Sequence, residues 1–182
     1  MDQSEIVEKL KSLSSREVLG YAIASEEDAK RFYLELAKGK GELISNFFEM
    51  LAMSEEAHKN ILLKLHEKLF GNVDYETPQD IPFSESMIKI ETLGNLVEAL
   101  KTAMANERNA YRVYKMLAEK QPDYREIFEY LAMQEKAHME ALKVHKDYME
   151  TKIESQPELH MAPIEARISL DIEKYHKPEV RY

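Results

Sequence analysis

Apolar side chains recur along most of this chain with the spacing of one face of an α-helix. Positions 19, 22, 26, 29, 33 and 36 are separated by alternating steps of three and four residues, which places them on one side of a helix. Three further segments show the same pattern. The pattern predicts a short helical arm over residues 2–12 and four long helices, over residues 15–38, 42–70, 93–119 and 123–153.

The chain also repeats itself, and the repeat indicates how the four helices are arranged. Residues 14–38 align with 95–119 with 10 identities in 25 positions, and residues 47–66 align with 127–146 with 9 in 20. Each half therefore predicts a helix, a short loop and a second helix. The connection at 71–91 is too long for a tight hairpin. The sequence thus predicts an all-α antiparallel four-helix bundle, with one long crossover between the second and third helices.

Residues beside the apolar faces give further predictions. Ser14 and Glu17 have the spacing of a capping box, and their repeat partners Asn95 and Glu98 have the same spacing. We expect two repeated methionines to fill gaps in the core and four histidines to lie at the surface or at the end of the bundle: Met53 and Met133, and His66, His145, His160 and His176.

Each long helix carries one glutamate in the middle of its apolar face, and two of the helices add a histidine three residues later. An unpaired carboxylate is costly to bury, and four of them in one core would repel each other. The alternative to a bound cation is a network of protonated or ion-paired glutamates, but no Lys or Arg lies on these faces to pair with them. Two divalent cations carry the charge that four glutamates require. The sequence therefore predicts a dinuclear metal centre formed by Glu26, Glu55, His58, Glu107, Glu135 and His138.

The repeat also decides between neighbouring glutamates. Glu27 corresponds to Arg108 and Glu56 corresponds to Lys136, whereas the predicted ligands keep their residue type in both halves. The Glu-x-x-His spacing puts both side chains on one helix face, where they can reach the same ion. Two such motifs, with one glutamate from each of two other helices, form a pattern of di-iron and di-manganese carboxylate proteins.

Composition excludes several other classes. The 182 residues carry a net charge of −9, which argues against binding to nucleic acid or to an anionic membrane. The absence of cysteine removes disulfides, thiol catalysis and cysteine-ligated metal sites. No apolar run is long enough to span a membrane, and the polar N-terminus does not resemble a signal peptide. We expect a cytoplasmic protein.

The ligand motifs resemble those of the rubrerythrin group within the ferritin-like superfamily. The matching segments are residues 26–33, the Phe48-x-x-x-Ala-x-x-Glu55-x-x-His58 motif, residues 107–114 and the equivalent motif at 128–138; the resemblance covers about 15–150. It implies that Glu26 and Glu107 are terminal ligands, that Glu55 and Glu135 bridge two metals, and that His58 and His138 bind one metal each. Iron is the expected metal, with manganese or zinc as alternatives. The resemblance also implies a homodimer.

Two departures from the rubrerythrin pattern qualify the expected chemistry. Rubrerythrins carry an extra carboxylate one turn after the third-helix glutamate, where this chain has Ala110. The rubrerythrin-type ligand switch is therefore in doubt. Rubrerythrins also end in a cysteine-ligated rubredoxin domain, which this chain lacks. A reductase reaction would need an external electron donor, such as a rubredoxin.

Tyr33 and Tyr114 occupy equivalent positions in the repeat, and two roles remain open for them. Each could pack in the core with its hydroxyl at the surface. Each could instead donate a hydrogen bond to a ligand carboxylate. Because each lies seven residues after a glutamate, about 10 Å along the helix, the ligand reached would belong to a neighbouring helix.

The favoured function is an enzyme that reduces hydrogen peroxide or dioxygen at a di-iron centre. The alternatives are a ferroxidase or iron-storage protein, a manganese catalase, and a scaffold that is stabilised by metal without catalysis. We expect the bundle to occupy residues 1–154. Residues 155–182 are expected to form a C-terminal arm, because apolar residues alternate with polar ones from 164 to 173.

Overall fold

Four long helices and a short N-terminal helix make up the fold in the computed structural model, which describes residues 3–38, 41–78 and 91–163. Two short 3₁₀ turns flank the last long helix, at Pro122–Tyr124 and Pro157–Met161. The helices are α1 Gln3–Ser12, α2 Ser15–Ala37, α3 Glu42–Phe70, α4 Leu93–Lys120 and α5 Arg125–Ser155. The predicted all-α bundle is confirmed, and each predicted long helix lies within two residues of its observed bounds. None of the described helices is long and apolar enough to cross a lipid bilayer.

The pairing of the helices follows the two halves of the repeat. Helix α2 packs mainly against α3, and α4 packs mainly against α5, while α2 and α4 join the halves. Two apolar clusters fill the interior. One contains Phe48, Leu51 and Leu100, and the other contains Leu19, Leu62 and Leu131. Because the predicted glutamates lie between these clusters along each helix, apolar side chains close the acidic layer from both ends.

The helix ends confirm one predicted capping box and correct the other. Ser14 caps α2, and the side chain of Glu17 accepts a hydrogen bond from the Ser14 backbone N–H. The box at α4 is formed by Thr92 and Asn95. The prediction of Asn95 with Glu98 was wrong by one turn, because Leu93 is already helical and its preceding residue, Thr92, has the side-chain oxygen that a cap needs.

The positions of Met53 and Met133 are also corrected. Both side chains are exposed, with 74% and 58% of their surface accessible, so they fill no gap in the core. Each lies two residues before a predicted ligand glutamate, about 200° around the helix, and therefore points away from the bundle. Their repetition follows from the duplicated helix and not from a shared place in the core.

The expectation of a surface position for His66 was wrong as well. His66 is fully buried, and its Nδ1 lies 2.8 Å from the backbone carbonyl oxygen of Asn72. Gly71 ends α3 in the left-handed conformation, with φ of 78°, and turns the chain back so that this carbonyl reaches the ring. His160 is exposed, as expected, and His145 is half-buried with its ring 4.0 Å from that of Phe47.

The chain beyond α5 returns to the start of α4. The backbone N–H of Leu93 donates to the carbonyl oxygen of Ala162, and Thr92 forms an isolated antiparallel bridge with Pro163. The predicted alternating arm over 164–173 and His176 lie outside the described residues.

Candidate metal centre

The structure brings the six predicted ligands together in the middle of the bundle. Each of the four long helices contributes one glutamate, and α3 and α5 each contribute a histidine one turn later. At most 8% of the surface of any of these residues is exposed: Glu26, Glu55, His58, Glu107, Glu135 and His138. The spacing of the sequence pattern is thus converted into a single enclosed cluster.

One group of ligand atoms surrounds His58. Its Nδ1 lies 2.9 Å from an oxygen of Glu135 and 3.3 Å from an oxygen of Glu55. Glu26 supplies a third oxygen, at 3.6 Å. These atoms lie close enough together to hold one metal ion.

A second group surrounds His138 in the same way. Its Nδ1 lies 3.0 Å from the second oxygen of Glu55, 3.3 Å from the second oxygen of Glu135 and 3.4 Å from Glu107. Glu55 and Glu135 therefore present one oxygen to each group, whereas Glu26 and Glu107 each serve one group. This is the arrangement of two bridging and two terminal carboxylates.

The contacts within the cluster are those of atoms aimed at a common centre. Both Nδ1 atoms, both oxygens of Glu135 and one oxygen each of Glu26 and Glu55 are buried without a hydrogen bond of good geometry. Buried polar atoms normally have partners, and these are left over despite their short mutual distances. The donor set of carboxylate oxygens and imidazole nitrogens fits two divalent ions such as iron or manganese.

The protonation of the cluster shows how much positive charge it requires. Burial, followed by the neighbouring carboxylates, raises the pKa of Glu26 and Glu107 well above the usual value. Burial lowers the pKa of His138, but the carboxylates of Glu107, Glu135 and Glu55 close to its Nδ1 raise it overall to about 12. The pKa of His58 rises for the same reason. Two neutral glutamates and two charged imidazoles together take up four protons, which equals the charge of two divalent cations.

The hydroxyls of Tyr33 and Tyr114 each reach a predicted ligand on a different helix. The hydroxyl of Tyr33, on α2, donates to Glu107 on α4, and the hydroxyl of Tyr114, on α4, donates to Glu26 on α2. Burial raises the pKa of both hydroxyls well above the usual value, and the nearby carboxylates raise it further. Each tyrosine therefore keeps its proton and remains a donor to a terminal carboxylate.

Ser54 lies between His58 and His138. The sequence analysis did not identify it as part of the site. Its Oγ lies 3.0 Å from Nε2 of His138 and 3.4 Å from Nε2 of His58. In the tautomer that leaves Nδ1 unprotonated, both Nε2–H groups can donate to this oxygen. The available signal was the four-residue step from Ser54 to His58, which puts them on one face of α3.

A narrow cleft opens beside the cluster between α2 and α4. Three of the ligand glutamates line it, Glu26, Glu55 and Glu107, and neither histidine does. The cleft therefore reaches the side of the cluster that lies away from Ser54. Ala29 and Ala110, which occupy equivalent positions in the repeat, stand in its walls.

A sequence model of the rubrerythrin family matches residues 17–146. The chain belongs to the rubrerythrin family. Two solved structures show the same fold. A hypothetical protein from Pyrococcus furiosus is 27% identical with a TM-score of 0.72, and the match covers 80% of this chain and 96% of that one. A protein from Thermotoga maritima described as ferritin-like diiron-carboxylate is 22% identical with a TM-score of 0.58, covering 74% and 95%. No curated protein sequence matches this chain significantly.

As expected for the rubrerythrin family, the cluster has carboxylate and histidine donors for two metal ions.

The sequence analysis did not identify two residues of the cleft wall, Tyr21 and Asn109. Their repeat partners are Thr102 and Asp28, so the duplication that singled out the ligands gave no signal for them. Nδ2 of Asn109 donates to the hydroxyl oxygen of Tyr21 at 3.3 Å.

Proposed function

We propose that this protein is a di-iron oxidoreductase that reduces hydrogen peroxide or dioxygen with electrons from an external donor. The observation that carries the proposal is the pair of ligand groups joined by Glu55 and Glu135. Each group has one imidazole nitrogen and three carboxylate oxygens. A shared pair of carboxylates allows two metals to act on one small oxidant together.

Each side chain has a distinct task in this proposal. Glu26 and Glu107 would each bind one ion, Glu55 and Glu135 would bind both, and each histidine would bind through Nδ1. Two ferrous ions, when bound, supply the two electrons that convert one peroxide to water. Tyr33 and Tyr114 hold the terminal carboxylates in place, and Ser54 orients the imidazoles. The apolar clusters on both sides keep bulk water from the centre.

The electron donor and the assembly are part of the same proposal. A chain without cysteine has no iron–sulfur site of the rubredoxin type, so the electrons would arrive from a separate protein such as a rubredoxin. The assembly is proposed to be a homodimer. Light scattering on the purified protein tests this, because an iron-storing ferritin would form a hollow cage of many chains.

Metal content and peroxide kinetics test the function. The protein is purified without oxygen and its metals are measured by mass spectrometry. About two iron ions per chain are expected. The reduced protein is then mixed with hydrogen peroxide in a stopped-flow spectrometer, and rapid oxidation with turnover in the presence of a reductant is expected.

A pair of neighbouring variants provides the control. Glu55→Gln removes a ligand of both groups and should abolish binding of the second metal and peroxide turnover. Glu56→Gln changes the next residue, which pairs with Lys30 and Lys59 at the surface, and should keep both. Two manganese ions with peroxide breakdown in the absence of a donor would replace the proposal with a catalase. Two zinc ions without peroxide consumption would indicate a metal-stabilised scaffold.

A further inference from the structure

Asn109 is a buried polar side chain that is not one of the six predicted metal ligands. It lies on α4 two residues after Glu107, lines the cleft and is 7% exposed. Its Nδ2 donates to Tyr21, but its Oδ1 is buried without a hydrogen-bond partner. Because the Tyr21 hydroxyl can donate or accept a hydrogen bond, the Asn109 amide can also be placed with its Oδ1 and Nδ2 exchanged. In either orientation one end of the amide lacks a partner, and a buried polar group in that state costs free energy.

The duplication shows that this amide is particular to one wall of the cleft. Its repeat partner is Asp28, whose carboxylate forms an ion pair with Arg31 at 3.2 Å. The unsatisfied amide is therefore not a consequence of the duplicated helix. It stands beside the terminal ligand Glu107, in a cleft whose lining includes three ligand glutamates.

We infer that Asn109, held by Tyr21, is a specificity-determining residue that forms a hydrogen bond with hydrogen peroxide in the cleft between α2 and α4. The inference rests on the proposed function and adds a choice between its two oxidants. Hydrogen peroxide has two O–H donors and two acceptor oxygens, so it satisfies the amide in either orientation. Dioxygen has no donor and is a poor acceptor, so it gains nothing from Asn109.

The balance of the reaction is that of the proposed function. The O–O bond of one hydrogen peroxide breaks, two electrons come from the reduced metals, two protons are taken up, and two waters leave. Asn109 is unchanged by the step. Its effect is to hold the peroxide beside the carboxylates before the bond breaks.

The first test compares two oxidants on one variant. In Asn109→Leu, the amide is replaced by an apolar side chain of similar size. The rate of oxidation of the reduced di-iron protein by hydrogen peroxide should fall roughly five- to tenfold, as loss of one hydrogen bond implies. The rate with dioxygen should stay within about twofold of the wild-type rate. Asn60→Leu, the same change at an exposed position of α3, should alter neither rate.

The second test measures binding through the cleft without turnover. The protein is loaded with Co(II), whose visible spectrum responds to a new ligand, and is titrated with azide. Ala110→Leu, which narrows the cleft, should weaken azide binding at least about tenfold. Ala57→Leu is the matched control, since it makes the same change on the exposed side of α3, two residues from Glu55, and should leave azide binding unchanged.

The outcomes separate this inference from the function on which it rests. If wild-type protein reacts with peroxide and Asn109→Leu slows both oxidants equally, or neither, Asn109 does not select the oxidant. If Ala110→Leu binds azide as tightly as wild type, the cleft is not the route to the metals. If the reduced wild-type protein does not react with peroxide at all, the proposed function itself is overturned.

Discussion

At the scale of single residues, each half of the repeat holds a predicted ligand of the other half. Tyr33 and Tyr114 exchange hydrogen bonds across α2 and α4, so that each half positions the terminal carboxylate of the other. A carboxylate that is fixed in this way binds a metal without first losing rotational freedom. The sequence left the role of these tyrosines open, because periodicity places a residue on a face but does not show what its hydroxyl reaches.

Removing one of these hydroxyls should weaken the metal site without unfolding the bundle. In Tyr114→Phe, the carboxylate of Glu26 loses its donor, and we expect metal affinity to fall by roughly 10- to 100-fold. Competition with a chromophoric chelator measures this affinity. Tyr130→Phe is the control, because Tyr130 is 55% exposed on α5. Equal affinities for Tyr114→Phe and wild type would show that the hydrogen bond does not support the ligand.

Ser54 should matter through both histidines at once. Ser54→Ala removes the oxygen that stands between the two Nε2 atoms, so neither ring is held in the tautomer that offers Nδ1 to a metal. We expect a loss of about tenfold in affinity at both metal positions. Isothermal titration calorimetry should show the two binding steps weakening together. A change confined to one step would mean that Ser54 serves a single histidine.

At the scale of helices and turns, the sequence predicted what depends on periodicity and missed what depends on tertiary contacts. The four long helices and the ligand cluster follow from one apolar face, repeated four times. The burial of His66 depends on the turn at Gly71, and no pattern on α3 shows where that turn goes. The sequence missed Asn109 for a related reason, because the packing of α2 on α4 decides the surroundings of this side chain.

Gly20 is another residue whose role appears only in the folded chain. It lies inside α2, where glycine normally destabilises a helix by about 1 kcal/mol relative to alanine. Here an added Cβ would overlap the backbone carbonyl oxygen of Glu76, at the start of the crossover. The glycine therefore lets the crossover backbone lie directly on α2.

Gly20→Ala should accordingly destabilise the protein, opposite to the usual effect of this change in a helix. The overlap is with backbone and not with a flexible side chain, so we expect a loss of about 1–3 kcal/mol in the free energy of unfolding. Urea denaturation followed by circular dichroism measures it. A variant as stable as wild type, or more stable, would show that residues 71–78 can move away from α2 at no cost.

At the scale of the whole molecule, we expect the acidic layer between the two apolar clusters to couple folding to metal binding. All four long helices converge on the same ligands, and an unfolded chain cannot hold those ligands together. A metal that binds only the folded state raises its stability with concentration, by about 2.7 kcal/mol at 100 times the dissociation constant. Without metal, burial and like charges raise the pKa of Glu26 and Glu107, so these two carboxyls hold protons and are less costly to bury.

This coupling predicts a stability that depends on metal only while the ligands are intact. Adding Mn²⁺ to the metal-free protein should raise its melting temperature progressively, and a chelator should reverse the rise. In the double variant Glu26→Gln and Glu107→Gln, most of the rise should disappear, although the metal-free variant should melt close to the metal-free wild type. The second expectation follows because glutamine resembles the protonated glutamate that it replaces. Differential scanning calorimetry on both proteins tests this, and a double variant that still gained full stability from Mn²⁺ would place the metals elsewhere.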